Sequence, residues 1–241
     1  MNNVKAIFKK QLKDTLKNPM ILMQFIIFPG VAWAMTLVLE NAEMPPEMVA
    51  GMPNMALMMA AIFAGMGLIT VVTGIIAEDR ERKSLRFLNM AGVKSGSYLL
   101  GVGLVVFLLG FLTSLVFTFL TDFTGGDFWI FLLAMLSAVV GSIMLGAVFG
   151  IIASNPQAGS ALALPVALIL GFGPMMAQFN PNLARFLNIF YTQQLNVVTD
   201  HLLGYVNVSN TLLHSFGIMW ANVAVFAMLF MLVYSKKGVR A

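Results

Sequence analysis

Apolar residues run through this chain in long blocks. The first, MILMQFIIFPGVAWAMTLVL, occupies residues 20–39 without a single Asp, Glu, Lys or Arg, and similar blocks fill 55–77 and 98–121. About 20 consecutive apolar residues cross a hydrocarbon core as a helix, so each block predicts one span. Residues 128–184 also lack all four charged types and are too long for one crossing. The polar break ASNPQAGS at 153–160 divides them into spans at 129–152 and 159–177. A last block at 213–234 makes six. Pro165, Gly171, Gly173 and Pro174 predict that the fifth span is kinked or broken.

The stretches between the blocks are patterned differently. In residues 1–19, Val4, Ile7, Phe8, Leu12 and Leu16 form one helical stripe with five lysines around the rest. That pattern predicts an amphipathic helix in the membrane interface, its lysines on anionic headgroups. Lysines that only set topology are the plain alternative. Asn18-Pro19 makes the corner into the first span. Residues 78–97, EDRERKSLRFLNMAGVKSGS, mix charges of both signs, with Glu78 and Arg82 spaced as an i,i+4 pair. Leu85, Phe87, Leu88 and Met90 then form a short apolar patch. Held just outside the membrane, such a patch suits docking into another protein's groove; a solvated loop is the alternative. In residues 178–212 the only charged or imidazole side chains are Arg185, Asp200 and His201. LARFLNIFY and LNVVTDHLLGY, separated by TQQ, are too short to span and too apolar for a free loop. They predict a re-entrant segment that includes Phe186, Phe190, Tyr191, Gln193 and Gln194.

Composition supports the spans. Of 241 residues 59% are hydrophobic and only 10% charged, with mean hydropathy +0.89. Soluble domains carry about 25% charged residues. The expected fold class is therefore an all-α polytopic membrane protein, a single membrane domain over 1–241. The absence of Cys excludes disulfides, thiolate metal sites and a Cys nucleophile. Placing both termini on one side gathers thirteen basic and four acidic residues there, and leaves one basic and six acidic opposite. Positive loops face the cytoplasm, which predicts cytoplasmic termini in a bacterial-type cell membrane. The net charge of +4 thus reports orientation and headgroup contact, and no nucleic-acid partner is expected. The first block is too long for a signal peptide's apolar region and is expected to stay as an anchor.

Chemistry is sparse. Intramembrane ionisable residues mark ion and proton paths; the six blocks contain no Asp, Glu, Lys or Arg, and only His214 sits at a block's edge, which disfavours a proton- or sodium-coupled carrier. No G-x-S-x-G elbow and no pair of intramembrane aspartates supports a protease. His201 and His214 have no acidic residue at ligand spacing. Met44, Met48, Met52, Met55, Met58 and Met59 cluster; thioethers suit Cu(I), but Met is also an adaptable filler. Asn207-Val208-Ser209 fits a glycosylation sequon. Gly101, Gly103 and Gly110 in the third span, and Gly141, Gly146 and Gly150 in the fourth, permit close helix approach, within the chain or across a dimer.

The stretch ERKSLRFLNMAGVKSGSYLLG, residues 81–101, resembles the cytoplasmic loop of ABC transporter permeases of the type-two exporter class. Glu81, Arg82, Ser84, Leu85, Leu88, Val93, Leu99, Leu100 and Gly101 match the family pattern. Lys83 stands where Gly is usual, Arg86 where Glu is, Gly92 where Pro is, and Val102 where Lys is. The resemblance implies a coupling helix seated on a separate ATP-binding subunit, with Glu81, Arg82, Ser84, Leu85, Arg86, Phe87, Leu88 and Met90 making the contact. It implies a second permease, identical or similar, and outward movement of an amphipathic or hydrophobic solute, a peptide or a drug. The chain itself, lacking G-x-x-x-x-G-K-[ST], is expected to bind no cofactor or metal and to catalyse nothing; ATP and Mg belong to the partner. A non-transporting assembly or immunity factor is the alternative, and a copper-related permease a lesser one.

Overall fold

The computed structural model describes residues 2–41, 54–90, 92–205 and 211–237. Met44, Met48, Met52 and the sequon at Asn207 lie outside these residues. The described chain is helical almost throughout, and no strand occurs among the described residues. Helix α1 covers Asn2–Lys17 and α2 Pro19–Glu40. Helix α3, Met55–Glu81, is α-helical except for a π turn at Phe63–Gly67. The short α4 spans Ser84–Met90, followed by α5 (Ser95–Leu120), α6 (Gly125–Ile152), α7 (Pro156–Ala177), α8 (Pro181–Leu187), α9 (Tyr191–Leu202) and α10 (Leu212–Lys237). Six of these, α2, α3, α5, α6, α7 and α10, are long and apolar enough to cross a membrane.

Local chemistry sets the boundaries. Asn18 caps α2, its Oδ1 accepting from the Met20 and Ile21 N–H groups at 3.1 and 3.3 Å, with Pro19 in the first turn where no N–H is needed. Asn54, Asn155 and Asn180 cap α3, α7 and α8 in the same way. Helix α3 runs on to Glu81, and Glu78 and Arg82 pair at 2.6 Å as their spacing predicts.

Helices α3 and α6 form the centre. Small residues let them touch: a Cβ on Gly146 would sit 2.8 Å from the Ile69 carbonyl oxygen and from Val72 Cβ. Gly150 is equally tight against Ile76, and Thr73 donates to the Gly146 carbonyl at 3.1 Å. The glycines of the fourth span thus serve packing within the chain. Phe63 anchors an aromatic cluster with Phe25, Phe28 and Phe117 at centroid distances of 5.8–6.0 Å. Helices α2 and α10 lie outside and expose most of their apolar side chains.

Two expectations need correction. Of the kink or break expected in the fifth span, the break does not occur: helix α7 is continuous through Pro165 and Pro174. Membrane-type helices tolerate proline where neighbours hold the helix. Here Gly171 and Gly173 let α7 pack closely on α3 and on Leu187. Second, Thr192-Gln193-Gln194 does not separate two apolar segments. It forms the buried first turn of α9, and the chain breaks at residues 188–190 instead. The π turn was not foreseen. A Cβ on Gly65 would lie 2.5 Å from the backbone of Leu170 and Gly171, so backbone meets backbone at this crossing.

Candidate functional site

The α4 segment is built as a projecting platform. Lys83, with φ of 58°, turns the chain out of α3 in the left-handed region, and Gly92, with φ of 75°, turns it back after α4. Both departures from the family pattern acquire a physical reading. Lys83 holds the conformation that the usual glycine takes without strain. Proline, fixed near −65°, cannot adopt the φ found at Gly92. Between them Leu85 is 2% exposed and roots α4 in the core, and Leu88 packs beside it. Phe87 and Met90 face outward at 66% and 67% exposure. Glu81 and Arg82 are exposed and Ser84 is half-buried. The Arg86 side chain lies outside the described set.

Polar contacts fix the helix ends beneath this platform. One Arg80 terminal nitrogen, Nη1, lies 2.7–2.8 Å from the carbonyl oxygens of Ile151, Ile152 and Ala153, and so caps the C-terminus of α6 from α3. A cation there also offsets the negative end of the helix dipole. Its neighbour Asp79 is buried, accepting from Tyr98 Oη at 2.9 Å and from Lys10 Nζ at 3.0 Å. These residues join α1, α3 and α5 at one point. Neither Asp79 nor Arg80 was singled out from sequence; both sit in the charge run, where their burial left no signal.

Helix α1 lies against α5, with Ile7 meeting Gly101. Its buried side is Ile7, Gln11 and Thr15, at i, i+4 and i+8. Of the expected stripe, Val4, Phe8 and Leu12 are half-buried beside that line and Leu16 is exposed.

At the other end, α8 and α9 form a compact pair. Leu187 closes α8 against Gly173. Tyr191 then opens α9 against Gly141, halfway along α6, with its Oη 3.0 Å from Ser142 Oγ. Burial pushes the Tyr191 phenol up. Gln194 is fully buried and donates to the Asn188 carbonyl and, at 2.7 Å, to its side-chain oxygen. Gln193 is buried as well, and its Oε1 has no hydrogen-bond partner among the described residues. Phe186 and Phe190 pack edge to face at 6.0 Å, with Phe186 exposed. Of the described methionines in the cluster, Met58 lines a cleft beside α9, Met59 packs on the core and Met55 faces α2.

Six long apolar helices, with a short helix at one end held on a polar clamp, fit a polytopic membrane protein. A family model described as ABC-2 family transporter protein matches residues 50–232, most of the chain, and the chain belongs to that family. Membership implies an ABC transporter system with an ATP-binding partner. No curated protein matches the sequence.

Proposed function

We propose that this chain is the permease subunit of an ATP-driven exporter that moves an amphipathic or hydrophobic solute, a peptide or a drug, out of the cell. The single observation that carries the reading is α4: a short helix rooted by Leu85 that leaves Phe87 and Met90 bare between charged turns. Two large apolar side chains in that position suit a groove on the ATP-binding subunit. In this reading Glu81–Met90 is the coupling helix, both termini are cytoplasmic, and the whole chain is one membrane domain. Helix α1 rides in the interface, and α8–α9 is the re-entrant pair on the outer side, a reading supported by Tyr191 reaching the middle of α6. The broad apolar faces of α2, α7 and α10 are covered by lipid and by a second permease. ATP and Mg act in the partner subunit. The test is co-purification of the chain with its ATP-binding subunit. Phe87→Ala with Met90→Ala should abolish the complex and solute-stimulated ATP hydrolysis while leaving the fold intact. Retention of both at wild-type level would sink the coupling assignment.

A further inference from the structure

A cleft of about 480 Å³ opens beside α9, at the opposite end of the bundle from α4. Three helices build it, and each contributes positions i, i+3, i+4 and i+7, one helical face apiece: α3 from its cap at Asn54, α7 from Gly171, and α9 from Asn196. One of its lining residues, Gly171, meets the π turn of α3 at Gly65. π turns recur at functional sites because they re-aim the backbone without ending the helix. The walls divide by chemistry. Leu57, Met58 and Met175 supply an apolar, adaptable surface. Asn54, Gln178, Asn196 and Thr199 supply neutral hydrogen-bonding groups.

Among the described residues, Asp200 is the single charged one in that lining. The ion pairs that Lys and Arg form among the described residues, Lys10–Asp14, Lys10–Asp79 and Arg82–Glu78, all lie at the other end of the molecule. Burial raises the Asp200 carboxyl from its ordinary value to about 6, and the neighbouring His201 partly opposes that shift. The carboxylate is therefore ionised at neutral pH, at an energetic cost that a bound cation offsets. A metal ion calls for several such ligands, and no group of three metal-binding side chains occurs among the described residues. An apolar wall facing one carboxylate suits an organic cation instead.

We infer that this cleft binds a cationic amphipath, its positive group on Asp200 and its apolar body against Met58 and Met175. The inference deepens the export reading, on which its place along the route rests, by naming the solute class.

Binding is measured on the full chain in nanodiscs of neutral lipid, without the ATP-binding subunit, using the fluorescence gain of ethidium at about pH 8. Wild type should bind saturably. Asp200→Asn should weaken binding about tenfold or more, since it removes the charge and keeps the volume. Asp200→Glu should bind within a few-fold of wild type, and Met58→Trp, which fills the cleft with Asp200 in place, should also lose binding. Octylamine should displace the dye where octanol does not. Equal binding by wild type and Asp200→Asn, or equal displacement by the amine and the alcohol, overturns the site. Because no ATP is involved, intact binding without ATP-driven ethidium export overturns the exporter reading and leaves the site standing.

Discussion

The Asp79 junction permits a quantitative test of what holds α1, α3 and α5 together. Tyr98 is 1% exposed, and its hydroxyl donates to a buried carboxylate at 2.9 Å. A hydrogen bond to a charged group contributes about 1.5–3 kcal/mol. Lys10 donates to the other oxygen at 3.0 Å, but its side chain is half exposed, so that pair contributes about 1 kcal/mol at most. Tyr98→Phe should therefore cost about 2 kcal/mol and Lys10→Met about 1 kcal/mol or less. Asp79→Ala should cost about 3 kcal/mol, because it removes both bonds and strands a buried hydroxyl. The double variant of Asp79→Ala with Tyr98→Phe should fall about 2 kcal/mol short of the summed single costs. The assay is equilibrium unfolding in mixed micelles, followed by helical circular dichroism. Coupling below about 0.5 kcal/mol would mean the two sites act independently. A cost of Lys10→Met equal to that of Tyr98→Phe would mean that the exposed pair, not the buried one, joins the helices. Either result refutes the reasoning.

Three further predictions follow from packing, backbone and charge. Gly146→Ala should destabilise by about 1–3 kcal/mol, because its Cβ meets the Ile69 carbonyl oxygen at 2.8 Å; Gly126→Ala, with nothing within 4 Å, should not, as thermal unfolding of the two variants will show. Lys83→Gly should stabilise by about 0.5–1 kcal/mol in the same assay by relieving the left-handed backbone, provided α4 keeps its place. Asp200 carries a carboxyl raised from 3.8 to about 6, so its contribution to stability is present below its unfolded value and lost as pH rises through about 6. Asp200→Asn should therefore unfold at a higher temperature than wild type above about pH 6 and match it near pH 4, even as it loses cation binding. Cation binding by wild type should fall as pH drops through that same value, with His201 beside Asp200 and Tyr205 in the cleft lining the other titratable groups near it.

The spans were legible because burial in lipid imposes one rule on every residue of a crossing helix, and long uncharged blocks record it directly. The corner at Asn18-Pro19 was legible for a related reason: Asn before Pro states its local geometry within two residues. What stayed hidden depends on contacts far apart in sequence. Gly65 carried no signal within the second block, yet it lies in a π turn where α7 presses its backbone onto α3. Pro165 and Pro174 read as kinks or breaks, yet with α7 packed on α3 and Leu187 the helix stays continuous. Arg80 and Asp79 look like any other members of EDRERK. Only the fold shows that one caps α6 and the other binds α1 and α5. The platform lies between these cases: its exposed Phe87 and Met90 and its rooted Leu85 alternate within one short segment, so the apolar patch was visible while its two left-handed turns were not.

One helix links the two candidate sites. The N-terminal third of α3 forms a wall of the Asp200 cleft, its π turn meets the cleft residue Gly171, and its last turn carries Asp79 and Arg80 before the chain enters α4. Arg80 ties that last turn to the end of α6, and Gly146 and Gly150 keep the two helices in backbone contact above it. Close-packed helices shift as units, because a tight glycine seam leaves no room for gradual deformation. Under the proposed coupling, a push on Phe87 and Met90 therefore moves α3 and α6 together. The wall that α3 gives the cleft must then shift against α7, which meets it at Gly65 and Gly171. The π turn stands at that crossing, where a helix with a loosened hydrogen-bond ladder can bend at least cost. Filling the seam there, by Gly65→Ala, should therefore uncouple ATP hydrolysis from solute release more than it weakens assembly with the ATP-binding subunit.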